Sequence, residues 1–360
     1  MYNINQLKKF KISFTFVIFC GILKSVIQLK GMFLLKSYTI KPNDANQRLD
    51  KFITKSFPNL PKTLMYKYIR IKRIKVNGKR AEISTKLSVG DVVDLYINDE
   101  FLEKKETVYD FMSAGKHIDV VYEDENVILL NKKVGLLSHP DETEYVDTLI
   151  TRVKRYLFEK GEYKPEEESS FAPALVNRID RNTSGIVICA KTATALRVLN
   201  QKMKDRELHK LYLCIVHGKM EKKTDTIEGY LVKDEKKNKV FISKTDKNGG
   251  KFIRTKYTVL GYSDGLSLLE IDLLTGRTHQ IRAHMASIGH PLLGDGKYGS
   301  NKQNKESGYK KQCLCSYKLI FDFTTDAEDL SYLNGKEFTI PDVWFRREFL
   351  EGKLKRGEKR

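Results

Sequence analysis

Thr275-Gly276-Arg277-Thr278-His279-Gln280-Ile281-Arg282-Ala283-His284-Met285-Ala286-Ser287-Ile288-Gly289-His290-Pro291, continued by Leu292-Leu293-Gly294-Asp295-Gly296-Lys297-Tyr298-Gly299, is the most informative stretch of this 360-residue chain. Ile281, Met285 and Ile288 recur at helical spacing behind Thr278, a residue suited to cap a helix, and Gly289 and Pro291 stop the pattern. The spacing predicts a short helix after Thr278 with those apolar residues inward. Gly294-x-Gly296-x-x-Gly299 matches a dinucleotide-binding fingerprint, yet no strand leads in and polar sequence rather than a helix follows. That argues against a doubly wound nucleotide-binding sheet. His279 and His284 are five apart, about 140° around a helix at roughly 100° per residue, a poor pair for one metal ion. No Walker-type lysine loop and no H-E-x-x-H occur.

Upstream, strands dominate. Ile118–Tyr122 and Asn126–Leu130 flank a polar turn, and Ile186–Ala190, Leu211–Val216, Phe252–Leu260 and Ser267–Leu273 also read as strands. Val146, Leu149, Ile150, Val153 and Leu157 form a helical stripe, and a second helix is expected near 193–203 with Leu196, Leu199 and Met203 inward. Pro165–Ser170 reads as an acidic surface loop. Many strands, few helices, no βαβ rhythm and no fixed repeat predict an α+β fold with a largely antiparallel mixed sheet.

Residues 48–98 read as a separate small unit. Helices are expected over Arg48–Phe57 and Lys62–Ile71, then a strand Ile74–Val76, an Asn77-Gly78 hairpin turn and a strand Val92–Ile97. This stretch holds 12 Lys+Arg against 4 Asp+Glu. Lys62, Lys67, Arg70, Lys72, Arg73 and Lys75 cannot all be buried, so several share a solvated face. The divisions expected are a leader over 1–31, this basic domain over 38–98, a linker over 99–116, a larger domain over 117–350 and a basic tail over 351–360.

The whole chain has 65 Lys+Arg against 46 Asp+Glu, a net charge of +19, which points to a polyanion partner. Its 41% hydrophobic content is that of a folded chain. Five cysteines, Cys20, Cys189, Cys214, Cys313 and Cys315, are too sparse for a disulfide framework and fit a reducing cytoplasm. Cys313-x-Cys315 reads as two residues on one strand face rather than a metal site. Ile12–Leu23 follows a lysine cluster but is short for a membrane span and lacks a cleavage site, and Met32 offers a second start. We therefore expect no membrane partner and set 1–31 outside the fold.

Two further constellations can carry chemistry. Asn177-Arg178-Ile179-Asp180-Arg181-Asn182-Thr183-Ser184-Gly185 precedes an apolar strand, with Asp180 between two arginines that favour its ionised form. From these residues alone a structural ion-pair loop is the plainer reading. In Lys210-Leu211-Tyr212-Leu213-Cys214-Ile215-Val216, alternation puts Tyr212, Cys214 and Val216 on one face and Leu211, Leu213 and Ile215 on the other.

In order, these segments resemble the RluA family of RNA pseudouridine synthases over about residues 118–345. The family's H-R-L-D-x-x-T-S-G stands here as N-R-I-D-R-N-T-S-G, its K-x-Y strand as Lys210-Leu211-Tyr212, and its G-R-T-H-Q-I-R-x-H…G-H-P…G-D…Y-G runs almost unaltered from Gly276 to Gly299. The front unit resembles the RNA-binding module named after ribosomal protein S-four. The resemblance implies a pseudouridine synthase fold with a small α+β domain in front. It also implies Asp180 as the essential carboxylate, Tyr212 as a ring stacking on the target base and able to move a proton, and Arg282 as partner of Asp180. Arg178 would fill the gap left by a flipped uridine. Lys62, Lys67, Arg70, Lys72 and Arg73 would bind RNA. Neither cofactor nor metal is implied, and the protein is expected to be a cytoplasmic monomer. Ribosomal RNA of the large subunit ranks first as substrate and transfer RNA second. The alternative is a non-catalytic RNA-binding ribosome-assembly factor. Two positions depart from the pattern: Asn177 replaces His, and Lys133 stands where a K-P-x-G turn has Pro, which implies a differently held loop and a looser turn.

Overall fold

The structure, a computed structural model, describes residues 35–102, 109–234, 239–246, 249–299 and 309–354. The expected leader, Cys20 and most of the basic tail lie outside the described residues, as do 103–108 of the expected linker. The chain divides into two units.

The first unit comprises the front of the chain together with Glu166–Phe171. Its sheet is β1 (Leu35–Thr39), β2 (Ile74–Val76), β3 (Lys79–Arg80) and β4 (Val92–Tyr96), in the order β1-β4-β2-β3 and antiparallel throughout. Helices α1 (Leu49–Ser56) and α2 (Lys62–Arg70) complete it. Asn77 and Gly78 turn β2 into β3 with φ of 53° and 69°, the left-handed pair a two-residue hairpin of this kind requires. Leu49, Phe52, Ile53, Met65, Ile69, Leu87 and Leu95 form the core, each fully buried side chain contributing roughly 1.5–3 kcal/mol. Ile71 lies past the end of α2 and is exposed. Pro165–Ser170 is not a free surface loop: the Ser170 hydroxyl donates to Asp44 at 2.6 Å and accepts from Gln47 at 2.7 Å. The expected linker holds single 3-10 turns at Asp99–Phe101 and Asp110–Ser113.

The second unit is built on one large sheet. Its strands are β5 (Val120–Glu123), β6 (Val127–Lys132), β7 (Ala174–Leu175), β8 (Ser184–Ala190), β9 (Leu208–His217), β10 (Thr224–Asp234), β11 (Lys239–Ser243), β12 (Lys251–Ser263), β13 (Leu266–Leu273), β14 (Leu314–Phe321) and β15 (Glu337–Thr339). The order is β11-β10-β12-β13-β9-β14-β8-β6-β5, with β15 on β14 and β7 on β8. Of the pairings described, β14 with β8 is parallel and the others antiparallel. The mixed, largely antiparallel α+β expectation is met.

Each face of this sheet carries its own core. On one face Leu213, Ile215, Leu268 and Cys315 pack under α4 (Ala193–Asp205) and α6 (Trp344–Leu350). On the other, Tyr212, Cys214, Val216, Leu269 and Ile271 pack under α3 (Leu149–Glu159) and α5 (Gln280–Ser287). The alternation read from β9 is therefore real, and Cys313 and Cys315 share one face. Leu149, Ile150, Val153 and Leu157 line α3, but Val146 precedes the helix and is exposed, because Thr148 closes a capping box with Thr151.

The helix after Thr278 spans Gln280–Ser287, shorter at both ends than the spacing predicts. His279, not Thr278, is the N-cap; it sits in the left-handed region at φ 56° and makes no side-chain cap. Gln280, the first helical residue, instead ties down the preceding turn, accepting from the Arg277 amide at 3.1 Å and the Thr275 hydroxyl at 2.9 Å. Ile288 falls past the last turn and is exposed, while Ile281 and Met285 are buried.

Candidate active site

Asp180 sits on the loop entering β8, and that loop is held from several sides. The Ser138 hydroxyl donates to the Ile179 carbonyl at 3.0 Å, and the Gly135 amide to the Arg181 carbonyl at 2.8 Å. Asn177 accepts from the Ile188 amide at 2.8 Å, so the residue standing in place of His stitches the loop to β8. Thr183 is buried and accepts from Gln312 at 2.8 Å. Gly185 has φ +116°, and a Cβ there would lie 2.3 Å from the Ser316 carbonyl oxygen, so only glycine lets β8 approach β14.

Beneath this loop lies Lys132, with no exposed surface. Its ammonium donates to the carbonyls of Leu136 at 2.7 Å and of Lys133 and Arg181 at 3.1 Å. The turn bearing Lys133 is thereby pinned rather than loose. Burial pulls the Lys132 pKa down to about 7, while the charge of Asp180 opposes the fall.

Arg282, on the first turn of α5, reaches Asp180 from the other side: Nη1 donates to Oδ2 at 3.0 Å. Its remaining edge is gripped by Asp295, whose Oδ2 accepts from Nε at 2.7 Å and whose Oδ1 accepts from Nη2 at 3.0 Å. Asp295 Oδ1 also accepts from the amides of Lys297 at 2.9 Å and Tyr298 at 3.1 Å. Burial lowers the affinity of Arg282 for its proton, but Asp295 and Asp180 outweigh it and the net shift is upward. The guanidinium is a permanent cation aimed by one carboxylate at another.

His279 completes the surround. Nε2 lies 3.7 Å from Asp180 Oδ2, and Nδ1 lies 2.9 Å from the Tyr298 hydroxyl, which accepts from the Val240 amide at 3.1 Å. Burial lowers the His279 pKa and Asp180 opposes it. The neutral tautomer matching these neighbours has Nε2–H toward the carboxylate and Nδ1 accepting from Tyr298. His284 faces away, 3.0 Å from the Thr255 hydroxyl, so the two histidines do not meet. Tyr212 lines the same cleft as Asp180, Arg178, Ile179, Leu273 and Arg282, a space of about 350 Å³ continuous with solvent. Burial pushes the Tyr212 phenol up to about 12, so it is neutral at pH 7.

A carboxylate beside an apolar wall and a neutral phenol, in an open cleft, has the chemistry of a nucleophile or base next to an aromatic face. The chain matches the RNA pseudouridylate synthase family model over residues 126–287 and the S4 domain model over residues 47–93. It is 30% identical to an RNA pseudouridine synthase of Mycoplasma capricolum over 87% of this chain and 100% of the relative. It is 34% identical to ribosomal large subunit pseudouridine synthase D of Borreliella burgdorferi over 80% of this chain and 85% of the relative. This chain belongs to the RNA pseudouridine synthase family. It is an isomerase that acts on RNA. Human RNA pseudouridylate synthase domain containing 4, 18% identical, covers 67% of this chain and 95% of its own at a TM-score of 0.51, and shares the fold.

In this synthase the structure gathers Asp180, Tyr212, Arg282 and Arg178 at one cleft. The sequence neighbours do not pair with Asp180 as expected: Arg181 donates to the Gly135 carbonyl at 3.1 Å, and Arg178 is exposed. The reason is geometric, because side chains adjacent along a turn diverge while Arg282 arrives from a helix 102 positions away. In the S4 unit Lys62, Lys67, Arg70 and Lys72 are exposed without ion pairs among the described residues, and Arg73 lies over the Tyr68 ring at 5.6 Å. Lys132, His279, Asp295 and Tyr298 escaped assignment from sequence. Lys132 looked like one of two turn lysines, and the others lay within the quoted motif without a partner to identify their work. No helix among the described residues is long and apolar enough to cross a membrane.

Proposed function

We propose that the synthase isomerises uridines of large-subunit ribosomal RNA in the cytoplasm, with Asp180 as the essential carboxylate. The observation carrying this reading is the Asp295–Arg282–Asp180 chain, in which a guanidinium clamped by Asp295 holds one oxygen of an Asp180 that lines the open cleft. The ionised carboxylate attacks the anomeric carbon or removes a neighbouring sugar proton, and uracil leaves as its bond to the sugar breaks. The base turns and bonds to the anomeric carbon through carbon five, as the Asp180–sugar bond breaks or the abstracted proton returns. The carbon-five proton is then lost and ring nitrogen one carries a proton in its place. Tyr212, a neutral phenol, offers its ring to the base, and the Arg178 side chain occupies the space the flipped uridine vacates.

The ribosomal target is supported by similarity to ribosomal large subunit pseudouridine synthases D and C of other bacteria. The S4 unit, with Lys62, Lys67, Arg70 and Lys72 exposed and Arg73 partly so, serves as the RNA-binding module, contributing phosphate contacts of low sequence selectivity. The test compares wild-type protein and Asp180→Ala on ribosomal RNA from a strain lacking the gene. Pseudouridine formed by the wild type alone is expected. Equal formation by both, or none by either, overturns the proposal.

A further inference from the structure

Helix α3 carries or adjoins several cations, and nearly all are matched. Arg152 holds Asp147 through two bonds of 2.7 Å, Arg155 holds Glu159 at 2.9 Å, and Lys160 holds Glu123 and Glu162 at 2.8 Å. Lys154 is the exception: it is partly buried, yet has no hydrogen bond or ion pair among the described residues. Arg178 on the Asp180 loop and His139 after Ser138 are likewise without such partners.

These side chains lie together. The Ile150 amide donates to the Ser138 carbonyl, and the Ser138 hydroxyl donates to the Ile179 carbonyl. His139 therefore follows a residue bonded to both α3 and the Asp180 loop, with Arg178 just before Ile179 and Lys154 one turn beyond Ile150. His139 feels the charges of both Arg178 and Lys154, and the other titratable neighbour of Lys154 is the Cys189 thiol, kept protonated by full burial. Nearby carboxylates are engaged elsewhere: Asp147 with Arg152, Asp180 with Arg282, and Asp141 with Thr143 and Glu144. Burial and the charges of Arg178 and Lys154 lower the His139 pKa, so the imidazole stands neutral beside two cations, and the partly buried Lys154 ammonium loses hydration without a partner among the described residues. An incoming anion offsets that cost and can accept from an imidazole N–H.

We propose that Lys154 and His139, beside Arg178, form a phosphate-binding rim that grips the RNA backbone at the flipped nucleotide. Arg178 lines the cleft beside Asp180 and reaches solvent, so a sugar presented to Asp180 leaves its phosphodiester at this rim. The rim rests on the reading of Asp180 as the reacting carboxylate. Its task is to hold the nucleotide out of the helical stack, and it binds substrate and transition state alike, so its loss falls on KM rather than on kcat.

The test uses the full chain and an in vitro transcript of large-subunit ribosomal RNA. Lys154→Glu, Lys154→Arg and Lys154→Ala are compared with Lys204→Glu, an equal charge change on α4 across the sheet. Lys154→Glu is expected to raise KM about tenfold with kcat little changed, while Lys154→Arg restores wild-type KM and Lys204→Glu leaves it unaltered. In Lys154→Ala the dependence of log affinity on log salt becomes shallower by about 0.7–0.9. Melting temperatures of all variants within about 2 °C of wild type confirm that the fold is intact. Equal losses in Lys154→Glu and Lys204→Glu, or a fall in kcat at constant KM, overturn the rim. Should the wild type form no pseudouridine in the transcript, the assigned RNA target fails separately. Filter-binding affinities then decide, with weaker binding by Lys154→Glu than by Lys204→Glu supporting the rim and equal binding overturning it.

Discussion

Asp295 fixes the guanidinium that reaches Asp180. Its carboxylate is fully buried and accepts from Arg282 Nε at 2.7 Å, Arg282 Nη2 at 3.0 Å and the amides of Lys297 and Tyr298. In Asp295→Asn one oxygen can still receive the amides, but an NH2 group faces the Nε–H of Arg282 and the charge is lost. Breaking one partner of a buried ion pair costs about 3–5 kcal/mol. Each kcal/mol shifts the melting temperature of a unit this size by about 2–4 °C, so a fall on the order of 10 °C follows. Arg282 then turns toward Asp180, its one remaining carboxylate, and over-neutralises it, so kcat falls about a hundredfold.

The pH dependence has a definite sign. The bonds from Arg282 and the two amides hold the Asp295 pKa below its ordinary 3.8 despite burial. Its stabilisation is therefore present above pH 3.8 and lost as pH falls through the lower folded value. Urea denaturation of both proteins from pH 7 to pH 2.5, with single-turnover assays at pH 7, tests this. A variant within about 1 kcal/mol of wild type refutes the clamp, as does unchanged kcat.

Tyr298→Phe keeps the ring over Arg282, 5.2 Å from its centroid, but loses the bonds to His279 and the Val240 amide. We expect about 1–2 kcal/mol lower stability and roughly tenfold lower kcat, read by thermal melts and steady-state kinetics; full activity removes His279 from the site. Lys132 has a folded pKa of about 7 against an ordinary 10.5, so the unfolded chain binds more protons between those values and stability rises with pH across that window. In Lys132→Met that rise should be smaller in urea midpoints from pH 7 to about 10, and an identical slope contradicts the buried-amine assignment. Lys67→Glu with Arg70→Glu should weaken RNA binding at low salt and flatten its salt dependence by about 1.4–1.8 in log–log slope, measured by filter binding. An unaltered slope takes the S4 face out of the RNA contact.

Local pattern was enough for much of this architecture. The Asn77-Gly78 hairpin, the stripe Leu149-Ile150-Val153-Leu157 and the two-faced strand around Tyr212 each depend on residues a few positions apart, where the chain's own geometry sets direction. Strands β10 and β11 were harder to read. Thr224–Asp234 mixes charged and apolar residues because only part of each face is covered, so the alternation there is blurred. The motif from Gly276 to Gly299 marked a site without saying how its members act.

Sequence alone determined that the chain is α+β with a basic front unit, and named Asp180, Tyr212 and Arg282 as candidates through their motifs. Tertiary structure decided which charges meet. Arg178 and Arg181 flank Asp180 in the chain but leave it, whereas Arg282 and His279 reach it from α5 and its N-cap. It also decided that Lys132 is buried beneath the Asp180 loop and that Lys154 has no counter-ion among the described residues. The physical reason is that electrostatic partnership depends on distance through space and on exclusion of water. Neither is set until the sheet has brought segments a hundred residues apart onto the same face.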